Sequence, residues 1–202
     1  MTYYKVLQDN HSCVGSNMDW TPYLPKDGQP GKWTPKISGK LEICAVGYHL
    51  TDDNHLIDWI AGNQLFEAEA KGKILQGDNK VACRQVRLLR QVVGWNDKTL
   101  RLFAVWCARE ALKLIDSPDQ RSINAIDVAE KYANGEATQE ELDAASYAAW
   151  DAASYAASAA ASYAAWYAAS YAAWYAAWYA ASDAARTIQN NKLLEMIGEV
   201  KP

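Results

Sequence analysis

Apolar and polar residues alternate with period two over Gln64–Ala70 and again over Val81–Leu89, and apolar residues recur at spacings of three and four after residue 100, so strands should come first and helices after. Tyr3–Leu7, Gln64–Ala70 and Val81–Leu89 read as strands. Leu41–Val46 is β-like and runs into Gly47, Tyr48, His49 and Leu50, where the glycine suggests a bulge or a close backbone approach. Thr51 or Asp52 can cap a short helix through Trp59 and Ile60 that Gly62 closes. Between the first two strand patterns lie Gly15, Pro22, Pro25, Gly28, Pro30, Gly31 and Pro35, a loop pinned by Trp20 and Trp33. Gly72, Gly77, Asp78 and Asn79 mark the connection before Val81.

The second pattern is helical. Leu100, Phe103, Ala104, Cys107, Ala111 and Leu114 share a face, and Pro118 ends that region. Ile123, Ile126 and Ala129 mark a second helix that Gly135 stops. Thr138 followed by Glu141 is a capping-box signature, which starts a third helix near Gln139. From Asp143 to Arg186 the chain is eleven tetrads of one form, a variable residue, Ala-Ala, then Ser, Trp or Arg. Alanine is the strongest helix former, so only a helix is plausible there, and an unbroken one would be roughly 70 Å long at ~1.5 Å per residue. Residues four apart are displaced by ~40° on a helix, so the tyrosines wind round it and match neither the 3.5 nor the 3.67 repeat of coiled coils. The densest rings are Trp166, Tyr167, Tyr171, Trp174, Tyr175, Trp178 and Tyr179. They suit either packing on the protein's own helices or a second copy, or docking of a protein partner, since Tyr and Trp are favoured interface anchors. Membrane insertion fits poorly, because the run has no Leu, Ile, Val or Phe. The expected fold class is therefore α+β: a small mixed-sheet module over residues 1–93, a helical pair over 97–137, and one very long Ala/Tyr/Trp tetrad-repeat helix with the C-terminal end over 138–197.

Charge narrows the function. A net charge of −4 over 202 residues gives no basic footprint, and the part from Thr138 has three Lys or Arg against seven Asp or Glu, so sequence-independent nucleic-acid binding is not expected. Met1–Lys5 lacks the basic and apolar regions of a secretory leader, which predicts a cytoplasmic location. Cys13, Cys44, Cys83 and Cys107 form no CxxC and read as reduced thiols. His11, Cys13, Cys44 and His49 have acceptable zinc-ligand types at a spacing that matches no established pattern, so neither metal nor cofactor is expected. His49, Asp52, Asp53 and His55 are the compact polar cluster of the chain. No nucleophile, phosphate loop or metal spacing accompanies them, and no catalytic residue is assigned.

Two resemblances add to this reading. Lys5, Val6 and Leu7, Cys13, Gly15, Cys44, Gly47 to Leu50, Trp59, Phe66 to Gly72 and Lys80 to Cys83 together resemble an uncharacterised domain of phage and bacterial proteins. Its members carry a Cys…Gly-Phe-His turn followed by Glu-Val-Glu-Ala, often ahead of repetitive segments. Phe103 to Leu112, Ser122 to Ile126 and Ala133 to Glu136 are similar to immunity proteins of bacterial toxin systems that have alanine-rich helices. Here Lys113, Leu114 and Ile115 replace their Pro-Leu-Phe, and Ser122 stands where a proline is common. The first likeness carries no function over; the second, taken with the lack of a catalytic pattern, leads us to expect a non-catalytic binding or inhibitor protein of phage or bacterial origin, of immunity or anti-defence type, that acts in the cytoplasm of a bacterial host. Its aromatic helix would form a homo-oligomer and dock a protein partner. The alternatives are an enzyme of unknown reaction on the N-terminal module and a binder that sequesters a small aromatic or nucleotide ligand.

Overall fold

The computed structural model describes residues 2–13, 16–113, 116–148 and 171–199, and for 171–183 the backbone only. The strands are β1 (Tyr3–Gln8), β2 (His11–Ser12), β3 (Tyr48–Asp52), β4 (Gln64–Gln76) and β5 (Val81–Gln91). The helices are α1 (Asp97–Leu112), α2 (Gln120–Asn134), a helical stretch at 139–148 that we label α3, and α4 (Tyr171–Met196). The chain is α+β, as its periodicities predict. It divides into a unit of Met1–Asn96 with Thr187–Pro202 and a unit of Asp97–Arg186.

In the first unit the sheet closes on itself. β1 pairs with both β3 and β4, and β5 joins those two, so the four strands form a small barrel with β2 appended to β1. Every described pairing is antiparallel, which corrects the expected mixed sheet. The strand expected over Gln64–Ala70 runs on to Gln76, because Gly72 does not turn the chain. It sits at φ +86, a conformation that glycine adopts without a Cβ penalty, beside a shift in the β4–β5 register between Lys71 and Ile74. The turn falls instead at Gly77, whose N–H donates to the Lys80 carbonyl at 2.8 Å. The helix expected before Gly62 is only a 3₁₀ turn, Leu56–Trp59, without a side-chain cap. The proline-rich loop supplies what the barrel wall lacks. Beyond Cys83, where β3 stops pairing with β5, Ile37, Thr34 and Gly31 donate their N–H groups to the carbonyls of Arg84, Val86 and Leu88 at 3.0, 2.9 and 2.8 Å. The strand edge is thereby satisfied, as buried backbone demands.

The alternation of β1 explains the core. Tyr3, Lys5 and Leu7 lie opposite Ala68, Phe66 and Gln64 of β4, and Leu7, Phe66 and Ala68 belong to one buried cluster with Trp20, Leu50, Cys83, Val86 and Leu88. Tyr4 and Val6 point the other way and are also buried. The C-terminal end of the chain is part of this unit. Leu193 and Ile197 are buried, and the Asn190 side chain accepts from the Ile57 N–H at 3.0 Å and donates to the Asp53 carbonyl at 2.6 Å. Glu199 accepts from the Tyr4 hydroxyl at 3.3 Å and pairs with Arg90 at 2.9 Å. From sequence this module ends near residue 93, and residues 138–197 are grouped as the long helix together with the C-terminal end, whereas Thr187–Pro202 belongs with Met1–Asn96.

The helical unit is built from local signals. Asp119 caps α2 by accepting from the Arg121 N–H at 2.8 Å. Gly135 stops it in the left-handed conformation, φ +79, while the Glu136 N–H reaches back to the Lys131 carbonyl at 2.8 Å. Thr138 and Glu141 form the predicted box: the Glu141 N–H donates to Thr138 Oγ1 at 3.2 Å and the Thr138 N–H to Glu141 Oε2 at 2.8 Å. Arg109 of α1 reaches Asp127 at 3.1 Å and also Glu130 on α2, and the Arg101 guanidinium lies over the Tyr132 ring at 4.9 Å. The tetrads from Tyr171 to Arg186 have a helical backbone within α4. A single helix through the whole repeat falls on residues outside the described set. No described helix is long and apolar enough to cross a membrane.

Candidate functional site

A pocket of about 390 Å³ opens between β1, the end of β2, the turn at Cys44, β3 and the turn at Lys80. That volume is within the range of small-molecule sites, roughly 300 to 1,000 Å³. The Glu42–Val46 turn forms one rim, with Cys44 held at φ +67. Trp20, Tyr48 and Trp59 supply aromatic walls, and Trp20 is fixed by its Nε1–H donating to Ser12 Oγ at 2.9 Å.

The decisive residue is Lys5. Its place in the β1–β4 register, opposite Phe66 of the buried cluster, is a core-facing one, so a four-carbon stem and an ammonium stand where the pattern calls for an apolar side chain. The amine donates to the His49 carbonyl at 3.2 Å and lies 5.2 Å from the centre of the Trp20 ring. No carboxylate among the described residues pairs with it. Burial lowers its pKa to about 8, against which the nearby Cys13 and Cys83 act weakly in the opposite sense. Lys80 is the second amine of the lining, 4.8 Å from the centre of the Trp59 ring.

His49 holds the rim together and is kept neutral. Its Nε2 accepts from the Cys44 N–H at 3.0 Å, which places the ring proton on Nδ1. Burial first, then the charges of Lys5 and Lys80, lower its pKa. The Cys83 thiol is pushed up to about 12 by burial and points at the carbonyls of Tyr48 and Gln85. The Cys13 thiol donates to the Val6 carbonyl at 3.3 Å. The Cys83 thiol is therefore protonated, and both sulfurs are engaged with backbone carbonyls. The described lining contains two lysines and no Asp or Glu, in a chain with a net charge of −4.

The structure divides the residues singled out in the sequence. Of the polar cluster, His49 lines the pocket, whereas Asp52 is buried in its own turn, bonded to the Asn54 N–H at 2.9 Å and to His55 at 2.7 Å. Asp53 contributes its carbonyl to Asn190. Of the candidate metal group, Cys13, Cys44 and His49 line the pocket while His11 turns back to the Asp9 carbonyl, and no three metal-ligating side chains converge among the described residues. Tyr171, Trp174, Tyr175, Trp178 and Tyr179 fall on the α4 backbone, their side chains outside the described set, and Trp166 and Tyr167 lie outside it altogether.

Lys5 escaped the sequence reading, although its signal was present: one cation at the centre of the otherwise aromatic and aliphatic run Tyr3–Leu7. No protein-family model, curated protein or solved structure significantly matches the chain.

Proposed function

We propose that this chain is a non-catalytic binding protein whose α+β unit holds a small anionic ligand with an aromatic or apolar body. One observation carries the reading: a pocket walled by Trp20, Tyr48 and Trp59 presents the amines of Lys5 and Lys80 and no carboxylate among its described lining. Amines in a low-dielectric pocket attract an anion more strongly than in water, and the rings supply apolar contact for the rest of the molecule. Of the sequence-based alternatives, sequestration of a small aromatic ligand fits this pocket best. The test is calorimetric titration with three probes of one shape, para-(hydroxymethyl)benzoate, its neutral diol counterpart and para-(hydroxymethyl)benzylamine. Binding of the benzoate alone, weakened tenfold or more by Lys80→Met, is the expected result. Equal binding of all three, or binding of the benzylamine alone, refutes anion selectivity.

The tetrad repeat supports a second binding surface. A helical backbone through Tyr171–Met196 sets Trp174 and Trp178 one turn apart, with Tyr175 beside them, which suits a docking face for a second copy or a protein partner. In this proposal the protein is an oligomeric factor of immunity or anti-defence type in a bacterial cytoplasm. Light scattering of the wild type and of the variant with alanine at 174, 175 and 178 tests it. Loss of oligomer with helicity retained is expected, and unchanged mass excludes the surface.

A further inference from the structure

We propose that Lys5 is a covalent capture site, its amine condensing with the carbonyl group of an anionic aldehyde or ketone to form an imine. This rests on the anion-pocket reading and goes beyond it, since reversible binding needs no bond.

The argument begins with position. Lys5 projects from a core-facing register position into the pocket, between the Trp20 ring and the His49 carbonyl, and lacks a carboxylate partner among the described residues. A lysine so placed is desolvated, and burial accounts for its lowered pKa. Desolvation is a recognised way of activating a lysine amine toward carbonyl compounds. At neutral pH its unprotonated fraction exceeds that of an exposed lysine by roughly two- to three-hundredfold, given an ordinary lysine value of 10.5.

The competing nucleophiles are held back. Cys83 is a protonated thiol pointing at two carbonyls, and Cys13 donates to Val6. His49 uses Nε2 to accept from Cys44. The exposed Cys44 thiol can add to a carbonyl only as a hemithioacetal that reverts, and of the two amines in the pocket that of Lys5 is the desolvated one. Its lone pair forms the C–N bond while the carbonyl π pair moves to oxygen, which takes a proton as the nitrogen loses one. The carbinolamine then releases its hydroxyl with a second nitrogen proton as water, leaving the C=N bond. Lys80 on the same pocket wall would pair with the ligand's carboxylate, so an oxo acid or an aromatic aldehyde carrying a carboxylate is the ligand class that uses both amines.

The experiment treats the full-length protein at pH 7 with para-formylbenzoate and cyanoborohydride, which reduces an imine to a stable secondary amine and leaves thiol adducts unfixed. Intact mass and peptide mapping then locate the adduct. The expected result is labelling of Lys5 at least tenfold over exposed Lys26 and Lys36, rising with pH to a plateau above about 8, and absent in Lys5→Arg. Labelling spread evenly over the lysines, or without that plateau in the wild type, overturns the proposal whether or not the variant folds. If Lys5 is unlabelled while para-(hydroxymethyl)benzoate still binds, capture fails and the anion pocket stands. If neither occurs, both readings fail.

Discussion

The α+β unit and the helical unit are built by opposite means. In the first, Leu7, Leu56, Leu65, Cys83, Val86, Leu88 and Leu193 are wholly buried, and its defining contacts join residues far apart in sequence. In the second, the buried hydrophobic residues among those described are Phe103, Val105 and Ala145, each 5 to 6 % exposed, and α2 contributes none. What defines that unit's helices is local: an Asp119 cap, a Gly135 stop and a Thr138 box, each within a few residues of the backbone it satisfies. One unit should therefore respond to damage as a whole, and the other turn by turn.

The largest test of this contrast is to end the chain at Arg186. The deletion removes Leu193, Ile197, Asn190 and Glu199 from the α+β unit. Its cooperative urea transition and near-ultraviolet signal should disappear, while much of the far-ultraviolet helical signal remains. A retained cooperative transition would show the barrel to be autonomous and the C-terminal packing incidental. Leu193→Ala is the graded form of the same experiment and should cost about 2 to 5 kcal/mol, as for other fully buried leucines. Asn190→Ala should cost about 2 kcal/mol, because it leaves the Ile57 N–H and the Asp53 carbonyl without their partner. Chemical denaturation measures both.

That contrast also explains which parts the sequence revealed. Helix starts and stops are written within four residues of where they act, so Thr138, Glu141 and Gly135 were readable. Strand existence was legible for the same reason, from the alternation of Gln64–Ala70 and the short aromatic and aliphatic run Tyr3–Leu7. Barrel closure was not, because nothing in β1 states that it will pair on both sides. The return of residues 187–199 to the first unit was hidden likewise: Asn190 acts over more than 130 positions, on Asp53 and Ile57. Gly72 misled because a glycine that turns a chain and one that admits a shift in register look alike in sequence. The pocket was half visible. His49 and Cys44 stood out by residue type, but Lys5 acquires its meaning only once Phe66 and Trp20 are known to face it.

Lys5 itself marks a cost that the α+β unit carries. The unfolded chain holds this proton up to the ordinary value of 10.5, the folded one only to about 8, so between those values folding releases a proton and stability rises with pH. Below pH 8 the full cost of burying the charge is present. A shift of this size corresponds to on the order of 3 kcal/mol, offset by about 1 kcal/mol for the hydrogen bond to the His49 carbonyl. Lys5→Met should therefore stabilise the protein by about 1 to 2 kcal/mol at pH 7. The advantage should shrink as pH rises from 8 toward 10.5, which urea titrations of both proteins across that range will detect. A variant less stable than wild type at pH 7 would mean that the ammonium is well solvated in the pocket.

The smallest expected effect lies in the helical unit. Thr138→Ala removes the acceptor of the Glu141 N–H and loosens the reciprocal bond from the Thr138 N–H to Glu141. Both groups are exposed, so water replaces the lost partners and the cost should be about 1 kcal/mol, the usual value for an N-cap threonine. The consequence should also stay local. Amide exchange should speed up in the first turn of α3, near residues 139–142, while the barrel amides of β1 and β5 keep their protection. Glu141→Gln keeps the reciprocal hydrogen bond and should recover most of the box, whereas Glu141→Ala should match Thr138→Ala. If either alanine variant lowered protection in the barrel as much as in α3, the two units would share one cooperative transition, and the division between locally and globally encoded regions would be wrong.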